Sequence, residues 1–176
     1  MTNAVCDKKN KNGAGIVVLK FGGSSSIDTG HMQRMAGVIR RYLGKGYGLS
    51  VIISSMGSTT DRLIEMANDV SDEFDGREMD QLLATGGQQS AALLALALKG
   101  EGIPAQSFTA AQAGFHANGF PMEGRIYRVD PANVTAAVKA GMVAVVTGFQ
   151  AITDDGDVIT LGRGGTDLSA VALAAA

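Results

Sequence analysis

Short apolar runs alternate along the chain with longer stretches in which apolar residues return every third or fourth position. Ile16-Val17-Val18-Leu19 is apolar throughout and rich in β-branched residues, which suits a strand buried on both faces. From about Asp28 the spacing changes, and Met32, Met35, Ala36, Ile39 and Leu43 share one helical face. The glycines of Gly44 to Gly48 stop that helix. Leu49 to Ile53 reads as a second buried strand, followed by a helix with Leu63, Ile64, Ala67 and Val70 on one side. Ser71 to Arg77 reads as a charged loop. Glu78 to Gly100 is mostly helical, and its Ala91 to Leu98 portion is apolar nearly all round, as in a central helix. Gly86 and Gly87 lie inside it, and each costs roughly 1 kcal/mol against Ala in a helix. The pattern therefore predicts a break into two helices at Thr85 to Gln88.

Ala105 to Thr109 reads as a third strand, Gln112-Ala113-Gly114 as a loop, and His116 to Gly124 as an excursion containing glycine and proline. Arg125 to Val129 alternates apolar and charged residues, the mark of a half-exposed strand. Asp130 as N-cap and Pro131 after it open a helix that ends at about Lys139, before Gly141. Met142 to Thr147 is another buried strand. Asp154 to Asp157 forms a hairpin tip; its acidic trio lacks the further ligands and the later bidentate Glu of an EF-hand. Val158 to Leu161 runs into Gly162-Arg163-Gly164-Gly165-Thr166-Asp167, and Leu168 to Ala176 begins an apolar helix. Met1 to Gly15 is polar, with Lys8, Lys9 and Lys11, and reads as a disordered tail. The recurring order of strand, glycine turn and helix places residues 16–176 in the α/β class as one domain, with no internal repeat.

Composition narrows the function. A net charge of −2 offers no basic field for nucleic acid, and six Phe and three Tyr with no Trp make no platform for stacking bases. No run approaches the length of a membrane span. A lone Cys6 builds no disulfide framework and fits a reducing, cytoplasmic compartment. His31 and His116 stand apart from any Cys, Asp or Glu at ligand spacing, so no metal site is expected of the chain itself.

Three loops carry the candidate chemistry. In Lys20-Phe21-Gly22-Gly23-Ser24-Ser25-Ser26, two glycines let the backbone approach an anion closely. The serines add hydroxyl donors, and the next helix presents free amides and positive dipole charge. Lys20 supplies a mobile full charge. The lysine precedes the glycines, unlike the usual P-loop. The alternative is a glycine-rich turn with a solvated lysine. Ser54-Ser55-Met56-Gly57-Ser58-Thr59-Thr60-Asp61 likewise follows a strand and opens a helix, where it could also be an ordinary helix cap. In Gly162 to Asp167 an arginine stands between glycines, with a planar fork suited to carboxylate or phosphate. Asp167 at the helix start could hold the Lys20 ammonium.

These loops, together with Gln112-Ala113-Gly114 and Gly148-Phe149-Gln150, occur in an order and spacing that resemble the aspartokinases of the amino acid kinase family. The resemblance runs from Ile16 to Ala176. It implies a three-layer α/β/α sandwich with a largely parallel central sheet, incomplete at the C-terminal side. It further implies phosphorylation of L-aspartate by ATP, with Mg2+, to 4-phospho-L-aspartate, in an enzyme that is a homo-oligomer at full length. By resemblance Lys20 contacts the transferring phosphoryl group and Asp167 organises the lysine. Phe21, Gly22, Gly23, Ser24 and Ser54 hold nucleotide, and Ser58, Thr59, Thr60 and Asp61 line the pocket. Arg163 pairs with a substrate carboxylate, and Gly164, Gly165 and Thr166 contact the reacting groups. At one position the sequence departs from the family. The usual Thr-Gly-Glu, whose Glu meets the substrate amino group, is here Thr85-Gly86-Gly87. Other members, such as acetylglutamate, glutamate or carbamate kinases, and a non-catalytic anion-binding module, are the alternative readings. The family's adenine contacts come largely from sequence beyond the Gly-Gly-Thr-Asp loop, so the segment alone is expected to be weakly active and poorly stable.

Overall fold

A computed structural model describes residues 3–8, 15–23 and 28–176. Five strands form the main sheet: β1 (Asn3–Lys8), β2 (Ile16–Phe21), β3 (Gly48–Ile53), β7 (Val143–Thr147) and β4 (Ala105–Phe108), in that spatial order. The last four run parallel, while β1 lies antiparallel on β2. The strand β1 departs from the tail expected over 1–15. The outer edge of β2 would otherwise present unpaired amides and carbonyls, and this segment pairs with them.

The side-chain period of two sorts the apolar residues to the two faces of the sheet. Val17, Leu19, Phe21, Val51, Ile53, Val143 and Val145 join one core with residues of α1 (Thr29–Leu43) and α3 (Gly76–Gly100). Val18, Ile52, Ala144 and Val146 join a second core with α4 (Ala132–Lys139) and α5 (Gly165–Ala175). Burial on both faces explains why these strands are mostly apolar, with Ser50 and Thr147 the buried polar exceptions. The sandwich implied by the family resemblance is thus present. The helix α2 (Thr59–Val70) packs on α3.

A second, four-stranded sheet was not foreseen. It has the order β6 (Arg125–Val129), β5 (Phe115–Asn118), β8 (Gln150–Ile152) and β9 (Val158–Thr160). The start of the excursion expected at His116 to Gly124 is regular, since Phe115 to Asn118 is a strand paired with β6, and the loop proper begins at Gly119. The hairpin with its tip at Asp154 to Asp157 is present, with β8 and β9 antiparallel. Pro131, expected as the first helical residue, is instead the N-cap of α4, and Asp130 just before it accepts from the Ala132 amide at 3.1 Å.

The expected break in the long helix is absent: α3 is continuous through Gly86 and Gly87, both buried. Its first turn begins at Gly76, earlier than the sequence reading, because Asp75 accepts from the amides of Arg77 and Glu78. Packing explains the glycines. A Cβ on Gly86 would stand 2.8 Å from Ser55 Oγ, and one on Gly87 would stand 3.1 Å from Gln150 Nε2. The pair lets α3 lie against the ends of β3 and β7, which outweighs the propensity cost.

Candidate active site

The site is built where β2, β3 and β7 end. Backbone bonds continue past the strands: the Ser54 amide donates to Phe21 O at 3.2 Å, and the Gly148 amide donates to Ile53 O at 2.9 Å. The three exits are therefore held side by side at the carboxyl edge of the sheet, where parallel sheets carry ligands. The chain then adds a fourth exit through the second sheet, as β9 leads into Gly162 to Asp167 and α5.

The fourth exit folds back onto the first. Lys20 Nζ lies 2.9 Å from Asp167 Oδ1, with the lysine side chain 17% exposed and the carboxylate 60%. This is the pairing expected of these two residues. Gly22 makes room for it: a Cβ there would stand 2.9 Å from Lys20 Nζ. Gly23 lies against the second loop, where a Cβ would be 3.8 Å from Ser55 O. Ser24 lies outside the described residues.

Gly148 lets the start of α5 settle on the sheet. A Cβ there would come within 2.7 Å of Thr166 Cγ2 and 2.8 Å of Ile52 Cγ2. Ser169 Oγ accepts from the Phe149 amide at 3.1 Å and donates to Gly165 O at 2.9 Å. The Phe149 backbone is left-handed, with φ of 70°. Arg163 is exposed between Gly162 and Gly164, which have φ of 69° and 77°. Those values favour glycine on both sides of the arginine. Arg163 makes no ion pair with the described residues, so its guanidinium is available to an incoming anion.

The helix starts divide into two kinds. Asp28, Asp75 and Asp130 accept from first-turn amides of α1, α3 and α4. The N-caps of α2, α4 and α5 (Ser58, Pro131 and Gly164) make no side-chain cap, and of these only α4 has a nearby carboxylate, Asp130, on its first amide. The ordinary capping alternative for Ser58 is thus not realised; Thr59 Oγ1 instead bonds Met56 O at 2.6 Å. Ser58 and Asp61 are exposed, and Thr60 is half-buried. Hydrogen bonds from the His31 side chain and then its amide hold the Asp28 carboxyl below its ordinary range. A cationic side chain, glycine turns and two helix ends without side-chain caps at one sheet edge form an arrangement that accepts a polyanion.

The structure adds residues that the sequence did not single out. Thr147, 1% exposed, has an unpartnered buried hydroxyl and faces Gly87. Gln150 donates to Ala84 O at 3.0 Å and so ties β8 to α3. Asp80 is buried on α3. Its position on the apolar stripe of Leu83, Ala84, Ala91 and Leu94 was the available signal, since a carboxylate there must find partners.

The sequence profile of the amino acid kinase family matches residues 15–176. The chain belongs to that family. It is similar to the aspartokinase of Thermus thermophilus, 44% identical over 161 residues, and to that of Geobacillus stearothermophilus, 42% identical over 162 residues. Each alignment covers 92% of this chain and 40% of the relative, so the chain spans about 40% of the length of the curated relatives it matches. Among solved structures, aspartate kinase from Synechocystis superposes with a TM-score of 0.76 at 43% identity, covering 92% of this chain and 26% of that one. The amino acid kinase fold is shared more widely. Aspartokinase III of Escherichia coli, solved with aspartate and ADP, gives a TM-score of 0.72 at 20% identity, covering 90% of this chain and 46% of that one. No helix among the described residues is long and apolar enough to cross a membrane.

Proposed function

We propose that this chain is the amino-terminal part of an aspartokinase catalytic domain, in which a β-carboxylate oxygen of L-aspartate attacks the γ-phosphorus of ATP. The P–O bond to the bridging oxygen breaks, ADP leaves, and 4-phospho-L-aspartate forms. The observation that carries the reading is the 2.9 Å contact between Lys20 and Asp167, which ties the glycine turn after β2 to the start of α5. Relatives of 41–44% identity bear the aspartokinase name.

The acceptor is already an anionic nucleophile, so the reaction needs alignment and charge neutralisation more than a strong base. Lys20, steadied by Asp167, meets the transferring phosphoryl group. Phe21, Gly22, Gly23, Ser24 and Ser54 border the nucleotide phosphates. Arg163 takes a substrate carboxylate in its fork, with Gly164, Gly165 and Thr166 alongside, and Ser58, Thr59, Thr60 and Asp61 line the opposite wall. The described residues contain no group of three His, Cys, Asp or Glu side chains able to hold a metal. Mg2+ would be carried by the nucleotide and would neutralise phosphate charge there, with Asp167, beside Lys20, the residue that would help to hold it. Adenine contacts are supplied by sequence beyond this segment, and the complete enzyme is a homo-oligomer of the cytoplasm, where ATP and free aspartate are found.

The position of Gly87 favours a second reading, in which acceptor recognition differs. Its Cβ direction leads to Gln150 Nε2 and Thr147, neither of them anionic. The two readings separate in one assay on the protein at the length of its relatives. Hydroxylamine traps an acyl phosphate as a hydroxamate, so ATP-dependent aspartyl hydroxamate is expected, and Lys20→Met should cut its formation by about 10²–10³. Equal rates in wild type and Lys20→Met would overturn the phosphoryl role. Product only after Gly87→Glu would establish the second reading.

A further inference from the structure

Asp80 is 1% exposed, and it is the only buried charged side chain among the described residues. No cation pairs with it there. Instead Thr160 Oγ1 donates to Oδ1 at 2.6 Å, and the Met122 amide donates to Oδ1 and Oδ2 at 3.2 and 3.0 Å. A buried carboxylate is tolerated only with such donors, and charged acceptors make the shorter, stronger bonds.

Both donors lead to the same place. Thr160 ends β9, three residues before Arg163. Met122, with φ of 66°, has its carbonyl 3.2 Å from where a Cβ on Gly162 would stand. The Gly124 amide donates to Thr160 O at 2.8 Å, which closes the loop of Gly119 to Gly124 against β9. Pro121 in turn sits on the first turn of α3, where a Cβ on Gly76 would be 2.7 Å from the proline Cβ. Asp80 thus fastens the strand and the loop on either side of Gly162 to one rigid helix.

We propose that Asp80 is a positioning residue that fixes where Arg163 is presented, acting through Thr160 on one side and through Met122 and Gly162 on the other. Its catalytic consequence rests on the reading of Arg163 as the acceptor's carboxylate partner. A carboxylate accepts from both neighbours at once; an amide could keep the Met122 amide on its oxygen only by turning its N–H toward Thr160, whose hydroxyl would have to reverse and accept. Removing the clamp frees the Arg163 loop directly and reaches Lys20 only through Asp167, so acceptor binding suffers more than nucleotide binding.

Two variants and two measurements test this. Asp80→Asn disturbs the acceptor pair, and Thr160→Val removes one donor while keeping shape. Amide hydrogen exchange over residues 161–168, followed in the protein at the length of its relatives, is expected to quicken about tenfold in Asp80→Asn and less in Thr160→Val. In the same protein, the KM for aspartate is expected to rise about tenfold and the KM for ATP by less. If Asp80→Asn does not fold, Thr160→Val decides by the same readouts. Unchanged exchange over 161–168 with a lowered Tm would overturn the proposal and leave Asp80 as a fold clamp alone. An Arg163→Ala control separates the two claims. If it leaves the aspartate KM unchanged, the reading of Arg163 fails, while the exchange data still judge the clamp.

Discussion

Two pairs of adjacent glycines face the same sheet edge, and they are there for different physical reasons. Gly22 and Gly23 leave a strand, and Gly22 is small so that the Lys20 ammonium can lie over it. Gly86 and Gly87 sit in the middle of a continuous helix, small so that α3 can press on the exits of β3 and β7. In sequence the pairs look alike, and the same turn logic reads both. The difference lies in what a side chain would strike: at Gly22 the end of a flexible side chain, at Gly86 the short and packed side chains of Ser55 and Thr59.

That contrast can be broken most forcefully at Gly86. Gly86→Val would meet Ser55 Oγ at 2.8 Å and Thr59 Cγ2 at 3.2 Å from its Cβ alone. The expected loss is about 1–3 kcal/mol of stability, despite the gain in helix propensity. A thermal melt equal to wild type would show that α3 has slack at the strand ends. Gly22→Ala is expected to do the reverse. Its stability should stay within about 0.5 kcal/mol, while displacement of the ammonium cuts phosphoryl transfer about tenfold in the complete enzyme. An activity loss no greater than the stability loss would erase the distinction between the pairs.

Gly87→Ala is the finer probe, because the atom it approaches is Gln150 Nε2 at 3.1 Å. The helix gains about 1 kcal/mol, and shifting an amide that bonds Ala84 O offsets most of it. A melt within about 1 kcal/mol of wild type is expected. The smallest effect belongs to Asp28, at the start of α1. Its carboxyl is held low in the folded state by His31, so the stabilisation is present above the ordinary carboxylate range, about pH 4, and is lost as pH falls through it. Melts of Asp28→Asn and wild type should therefore differ most near neutral pH and converge in acid; a constant difference would contradict the assignment.

Much of this was legible in the chain. The parallel strands announced themselves because burial on both faces leaves only Ser50 and Thr147 as polar residues in Ile16 to Leu19, Leu49 to Ile53 and Met142 to Thr147. The Lys20–Asp167 contact was foreseeable because a lysine at a strand end and an aspartate at a helix start carry complementary charge. The second sheet was less legible. Its strands β8 and β9 are three residues each, too short to set up a period, and β5 pairs across sequence with β6 and β8. The strand β1, with Ala4, Val5 and Cys6 between polar residues, shows no clear period and pairs with the outer edge of β2. The continuity of α3 was hidden because helix propensity is local, whereas the contacts of Gly86 and Gly87 come from residues 27 or more positions away. Asp80 stood on an apolar stripe, but its donors at Met122 and Thr160 are revealed only by the folded chain.

The central claim is that the turn after β2 and the start of α5 form one polyanion site through Lys20. Titration calorimetry of ATP into the protein at the length of its relatives, wild type against Lys20→Met, tests it most directly. The account predicts that the variant binds at least about tenfold more weakly, as expected for the loss of a charge-assisted contact to phosphate. Equal affinity in the two proteins would contradict it.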